Sequence, residues 1–446
     1  MNTLYVRSQD GISQYREGAT GLQLTYNQLE RVLTETQLAR LNEDGFVPVS
    51  NDYDICKLLH NRRTALGLSL KEIAKLSGLR EDLVKDIEDS GTRSPVRNAI
   101  RVAEVLSIPH ALLAGVADNA DSALALRLKK RTGFNNIDAL SESSVAKISE
   151  AAWVIRTEYE LKDLLGVPDG KVQTFSLKDG FYGDYDCPVW QHAMYLAGRT
   201  REILSLQKDE PIKSLRRLIE TELGLPLIEI SIDSRIAGAT IANGGYRGIL
   251  LNSNGDNGRN NFVHRMTLAH ELGHLLWDDE QHLDNYLIDN YVELDKFGSE
   301  HKPEYSRSYY VEARANAFAA EFLAPQSAVK KLFGKTRTVR SVMEHFGVSF
   351  TCAKYQIWNA LDRSIPIDSL KTEDVMSPNE WDVAENYSVA FMWDDSIRDS
   401  RRGNFAKFVV DCEQSELITA DSAACYLGCS LEIYNKQKST IAQLVE

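Results

Sequence analysis

The sequence predicts a multidomain, mainly helical protein with one α+β domain in its middle, and three patterns carry that expectation. From Asp54 to Leu113, short helical runs (ICKLLHNRRTALG, SLKEIAKLSG, REDLVKDIEDSG, SPVRNAIRVAEVLSI) are punctuated by glycine and proline, as in a compact all-helical domain. Beyond Gln191 the order becomes helix (HAMYLAGRTREILSL, SLRRLIETELG), three strands (LIEISI, GATIA, GILLN), then a helix starting at FVHRMTLAHELGHLLW. After Pro325 the chain reads as helical to its end, with turns at FGVS and LGCS.

These patterns divide the chain into a helical extension (1–50), a helical domain (52–115), a helical linker region (116–190), the α+β domain (191–330) and a C-terminal helical region (331–446). In the first, LTYNQLERVLTETQLARL fits one amphipathic helix packed on something else. The polar stretch GVADNADSA marks a boundary, residues 122–167 read as helical again, and 168–190 read as a loop or short strands.

Composition narrows the setting. Hydrophobic residues make up 43% of the 446, as in an ordinary soluble protein. No run approaches the roughly 18 uninterrupted apolar residues of a membrane span, and MNTLYVRSQDGISQYREG lacks the apolar stretch of a signal peptide, so a cytosolic location is expected. The six cysteines lack metal-binding spacing and are expected to be buried thiols. A net charge of −13 weighs against nonspecific nucleic-acid binding by the whole chain, although a local basic face can still meet phosphates.

The strongest chemical signal is HELGH at 270–274. Its histidines lie one helical turn apart, so both imidazoles face one side and can grip one cation. Glu271 can then take a proton from water whose pKa the cation lowers. Apolar neighbours (Met266, Leu268, Leu272, Leu275, Leu276, Trp277) indicate a buried helix, and Gly273 leaves room for a close backbone approach. Catalytic zinc usually has three protein ligands, and a carboxylate on a second helix would complete the set. In VEARANAFAAEFLAP (311–325), Glu312 and Asn316 share a face, so Glu312 can ligate while the Asn316 amide oxygen accepts the N–H of a ligand histidine. The competing carboxylates are Glu321, on another face, and Asp278, Glu280 and Glu304 in loops. Tyr309, Tyr310 and His264 are candidate hydrogen-bond donors to an oxyanion. The strand near Gly248 to Asn252 could pair with a substrate strand as a sheet edge.

TLAHELGHLLW followed by ExxANxFAxxFLxP resembles the zinc peptidase domain of the ImmA/IrrE family, whose usual forms are close to RFTLAHELGHLLLH and ExxANxFAAxLLMP. Arg265 stands where the family has an arginine, and Met266 replaces the common phenylalanine. GATIANGGYRGILLNS resembles the family's glycine-rich strand pair ending in an asparagine, here Asn252. The resemblance spans about 195–360. It implies a zincin-like α+β metallopeptidase that holds zinc, or manganese as in some members, and cuts a helix-turn-helix repressor, linking proteolysis to stress-response or mobile-element control. The segment Trp277–Ser308 departs from the family: it is long and carries nine acidic residues against three basic ones. It is read as a solvated loop or, more sharply, a lid or docking loop for a basic partner.

Residues 54–113 resemble an Xre-type helix-turn-helix, with Leu70, Ile73, Ala74, Gly78, Leu79, Val84 and Ile87 at core and turn positions. DNA binding through 52–115 would rest on phosphate contacts from Arg62, Arg63, Lys71 and Arg93, because the helix that would enter the major groove offers Glu81, Asp82, Asp86, Glu88 and Asp89 against Arg80 and Lys85. Protein docking or repressor mimicry is the alternative. RSVMEHFGVSFTCAKYQIWNAL and FAKFVVDCEQSELITADSAACYLGCSLEIYNKQ also read as helix, turn, helix, similar to the trailing helices of longer relatives, and suit partner binding or homo-oligomerisation. The rival to the peptidase reading is a non-enzymatic Xre-type regulator or antitoxin with a structural or sensory metal site.

Overall fold

The computed structural model describes the chain except residues 1–3, 8–10, 16–21, 27–28, 30–34, 49–54, 91–95, 109, 111–123, 131–140, 169, 171–187, 235, 244–245, 255–259, 279–306, 372–378, 386–392 and 445–446. The described residues are mostly helical and include two four-stranded sheets.

The first sheet corrects the reading of residues 1–50 as a single helix. Strands β1 (Leu4–Arg7), β2 (Gly11–Gln14), β3 (Leu22–Thr25) and β4 (Phe46–Pro48) pair antiparallel in the order β3-β1-β2-β4, with a helix at Glu35–Asp44. Strands of three or four residues are too short for a period-two signal to outweigh the helical spacing of the leucines that follow.

The second sheet positions the candidate site. Strands β6 (Leu227–Ile230), β7 (Ile236–Asn243) and β8 (Tyr246–Asn252) fall where expected, but the fourth, β5 (Leu124–Lys130), comes from a stretch read as helical. Its leucines at 124, 126 and 128 alternate as a strand's should, and it pairs antiparallel with β7. The order is β5-β7-β8-β6, with β6 parallel to β8. β8 is therefore interior, which corrects the expectation that Gly248 to Asn252 could receive a substrate strand: both its sides are already paired. Asn252 instead closes the sheet's end, donating to the carbonyls of Asp233 (2.9 Å) and Ile236 (2.7 Å) and accepting from the Ile232 N–H (3.0 Å).

Two helices sandwich this sheet. On one face lies the central helix Glu142–Leu165, on the other the motif helix Asn261–Trp277. Ile228, Ile230, Ala239, Ile241 and Leu250 join the core on the first side, whereas Leu227, Ile249 and Leu251 join that on the second, the alternation of a sheet covered on both faces. The central helix is buried almost all round, from Val145 through Ile155, because further helices cover its far side. Residues 116–190 thus contain a load-carrying core helix, not only a linker.

The regions share cores instead of standing as independent modules. Ile73, Val84 and Val102 of the N-terminal helical domain, Trp153 of the central helix, and Phe405, Val409 and Tyr434 near the C-terminus belong to one cluster. Polar contacts reinforce it: Glu142 accepts from the Ser69 N–H (2.9 Å) and hydroxyl (2.5 Å). Arg401, fully buried, reaches Glu104 (2.8 Å) and Glu150 (2.7 Å) and lies 4.8 Å from the Trp153 ring centre.

One local motif occurs three times. Ser69, Thr338 and Thr419 each cap an eight-residue helix (Leu70–Ser77, Val339–Phe346, Ala420–Leu427), and each helix ends on a left-handed glycine, Gly78, Gly347 or Gly428. A second helix follows each turn: Glu81–Ser90, Phe350–Ala360 and Leu431–Ile441. Val84, Ala353 and Tyr434, at the same offset from the cap, are all buried.

Of the described cysteines, Cys352, Cys412 and Cys429 are buried as expected, whereas Cys56 and Cys425 are half-buried; burial pushes the Cys352 thiol up to about 12 and Cys425 and Cys429 up to about 11. Cys187 lies outside the described residues.

Candidate metal centre

The motif helix starts at a sequence-encoded cap, Asn260, whose side chain accepts from the Phe262 N–H (3.0 Å). Every residue from Thr267 to Trp277 is buried, so the helix packs on all sides, and its position depends on two glycines. A Cβ on Gly238 of β7 would come within 2.7 Å of Thr267 Cγ2, so only glycine lets the helix lie this close to the strand. A Cβ on Gly273 would meet the Phe318 ring at 2.7 Å. The space at Gly273 therefore admits a side chain of the second helix, Arg307–Leu323, and not the backbone expected there.

Three candidate donors converge. His270 Nε2 lies 3.0 Å from His274 Nε2 and 3.3 Å from Glu312 Oε2, and His274 Nε2 lies 3.6 Å from Glu312 Oε1. These are the His, His, carboxylate atoms that could hold one metal ion. The other ring nitrogens are occupied: Asn316 Oδ1 accepts from His270 Nδ1 at 3.0 Å, and Asp278 Oδ2 accepts from His274 Nδ1 at 2.8 Å. With both Nδ1 atoms donating, both Nε2 atoms carry lone pairs, and two lone pairs at 3.0 Å repel unless a cation sits between them. Tetrahedral zinc with bonds of about 2.0–2.1 Å spaces its ligands about 3.3 Å apart, close to what these donors show. The residues fit a divalent metal in donor type, spacing and tautomer.

Asp278 is not the competing loop carboxylate that the sequence suggests. It is instead fully buried at the end of the motif helix, donates its backbone N–H to the His274 carbonyl (2.9 Å), and pairs with the buried Arg314 of the second helix. Its spacing, four residues after His274, was the available signal. Glu321 sits elsewhere, accepting from Gln356 (3.1 Å) and from the Gln326 N–H (3.2 Å); burial pushes its pKa up and these donors pull it partly back. No sequence spacing points to Thr240 of β7, whose hydroxyl donates to Glu271 Oε2 at 3.0 Å and ties that carboxylate to the sheet.

The remaining candidates separate. His264 is buried two helical turns before Glu271, in the field of Glu229 and Arg216, and burial lowers its pKa; it is not grouped with the three donors. The side chains of Tyr309 and Tyr310, the acidic stretch 279–306 with Glu280 and Glu304, and Arg93 lie outside the described residues. Arg63 is committed inside its own domain, forking onto Glu88 (2.7 and 2.9 Å) and the Leu68 carbonyl (2.8 Å), which corrects its reading as a phosphate contact. Arg62 is half-buried and Lys71 exposed, while Glu81, Asp82, Asp86 and Asp89 are exposed on the second helix.

Arg265, five residues before His270, is fully buried. It donates to the carbonyls of Gly347 (2.9 Å) and Ile212 (2.6 Å), pairs with Glu385, and stacks 4.4 Å from the Trp381 ring centre. It thereby anchors the motif helix to the turn of the middle helix-glycine-helix unit.

Fold and site together define a metallopeptidase-like domain. Residues 221–357 match the Peptidase M78 family model, described as the IrrE N-terminal-like domain, which supports the ImmA/IrrE resemblance over that part of the chain. Comparison with curated proteins gives no match. Among the described residues no helix is long and apolar enough to cross a membrane.

Proposed function

We propose that this protein is a zinc-dependent, zincin-like endopeptidase that cuts a repressor-like helix-turn-helix protein and so couples proteolysis to transcriptional control. The observation that carries the catalytic part is the donor count. Three donors converge among the described residues, whereas a structural zinc is closed by four. The histidine side chains are 1% exposed and that of Glu312 is 43% exposed, so the site opens to solvent on the Glu312 side. The rival reading, a regulator with a structural metal, requires a fourth donor there.

A divalent cation held by His270, His274 and Glu312, zinc or manganese, would make water acidic at neutral pH and polarise a peptide carbonyl. Glu271 takes the proton of the attacking water at its carboxylate and passes it to the departing amine nitrogen. Thr240 fixes that carboxylate's rotation through the 3.0 Å hydrogen bond, so the acceptor is oriented before substrate arrives. Asn316 and Asp278 hold the imidazoles in the tautomer that turns both Nε2 atoms inward.

Cleavage is tested by incubating the metal-loaded chain with repressor-like proteins encoded beside it and identifying products by mass spectrometry. Intact partners throughout, with metal bound, would sink the peptidase reading. Metal content tests the ligands separately. His274→Ala should purify without bound metal, and Asp278→Asn should weaken binding about 10–100-fold in a chelator competition, since it leaves one accepting oxygen for two donors, His274 Nδ1–H and the Arg314 guanidinium. Wild-type metal affinity in both variants would show that the ligand set is wrong.

A further inference from the structure

The three helix-glycine-helix units share a backbone but differ in charge. The second helix of the N-terminal unit exposes Glu81, Asp82, Asp86 and Asp89 beside Lys85, whereas that of the last exposes the ion pair of Glu432 and Lys436 (2.8 Å). The second helix of the middle unit, FTCAKYQIWNA, contains no acidic residue and exposes Thr351 and Tyr355. Residues 330–371 around it hold eight Lys and Arg against three Asp and Glu, a net of +5 in a chain of −13.

Three of these eight cations gather at one place. A cavity of about 520 Å³ opens at the start of helix Val339–Phe346, bordered by Arg337, Arg340 and Lys371 over an apolar floor that includes Phe333. Arg337 takes a left-handed conformation (φ 59°) as the C-cap of helix Gln326–Thr336, which turns the chain so that Arg337 and Arg340 flank the next helix. All three cations are exposed; Arg340 makes a solvent-facing pair with Glu344 (2.8 Å), and Arg337 and Lys371 pair with no carboxylate among the described residues. In helix-turn-helix docking the second helix enters the major groove and the first crosses the backbone, so cations beside the first helix's start meet phosphates.

We propose that the unit at residues 338–360 docks on duplex DNA, with Arg337, Arg340 and Lys371 contacting the phosphate backbone and Thr351 and Tyr355 facing the groove. This places the nucleic-acid face on the middle unit instead of the acidic N-terminal one, and it does not depend on the peptidase reading.

The test is fluorescence anisotropy of the full chain with a labelled mixed-sequence duplex over a range of salt. The variants are Arg337→Gln/Arg340→Gln/Lys371→Gln and, as control, Arg62→Gln/Lys71→Gln, with thermal melts and metal content confirming that each is folded. The triple variant should bind more than about tenfold more weakly near 0.1 M salt, and its log K against log salt slope should be shallower by about 3, roughly 0.9 for each lost phosphate contact. The control should match wild type. The proposal is overturned if wild type does not bind at low salt, if the triple variant keeps wild-type affinity, or if the control variant is the one that fails. A polyglutamate peptide binding as tightly as the duplex, with the same loss in the triple variant, would overturn it in favour of an acidic protein partner.

Discussion

Glu271→Gln is expected to lower the rate of substrate cleavage about a hundred- to ten-thousand-fold while leaving metal content and the thermal melt unchanged. Glutamine is nearly isosteric and keeps an oxygen that can accept the Thr240 hydroxyl hydrogen bond, now 3.0 Å from Oε2. It lacks a carboxylate to take the proton of water. The convergence of His270, His274 and Glu312 does not pass through this side chain, so metal affinity should hold. The measurement is a single-turnover cleavage assay at matched metal occupancy, with metal counted by mass spectrometry. Cleavage at the wild-type rate would remove Glu271 from the proton transfer, and a parallel loss of metal would make it a structural residue. A variant that binds but does not cut would also retain its substrate and serve as bait for it.

Arg401→Met should destabilise the fold by about 3–5 kcal/mol, because removing one partner of a buried ion cluster leaves its counter-charges in the core. Arg401 is 1% exposed, and Glu104 and Glu150 are each 2% exposed. Arg398 would remain beside Glu150 at 2.5 Å, so the burden falls on Glu104, left with His110 at 3.5 Å. Burial alone would push the Glu104 carboxyl up, but Arg401 and His110 together hold it below the ordinary carboxylate range. In wild type that depressed pKa contributes stability above the unfolded pKa of about 4.3, lost as pH falls through the folded value. Without Arg401 the same carboxyl should titrate higher, so the gap between wild type and variant should be wide near pH 7 and narrow toward pH 4. Denaturation across that range checks both magnitude and sign. Adding Glu104→Gln to Arg401→Met should recover part of the loss at pH 7; no recovery would mean that packing against Trp153, not charge, sets the cost.

The Arg401 cluster has a counterpart under the middle unit. Arg401 donates to the carbonyls of Cys425 (3.2 Å) and Tyr426 (3.0 Å), and Arg265 to Gly347 (2.9 Å) and Phe346 (3.3 Å). Each arginine satisfies the last carbonyls of an eight-residue helix, pairs with buried glutamate and lies against a tryptophan. Both therefore bind a terminal turn to a distant element, which is how helices this short stay in place.

Local spacing determined much of this protein. HELGH, the Glu312 and Asn316 pair and the three capped, glycine-ended helices were legible because each depends on residues within one or two turns, where 3.6-residue geometry sets what can meet. Strands β6, β7 and β8 were legible for the same reason, as runs of alternating or apolar residues between turns. Tertiary structure alone decided the rest. β5 joins a sheet whose other strands begin about a hundred residues later, an interior β8 excludes strand addition, Thr240 reaches Glu271 across the gap that Gly238 leaves, and Arg63 spends its donors on Glu88. Each is a contact between residues far apart in the chain, and such contacts are set by which surfaces must leave water together, which no short window of sequence records.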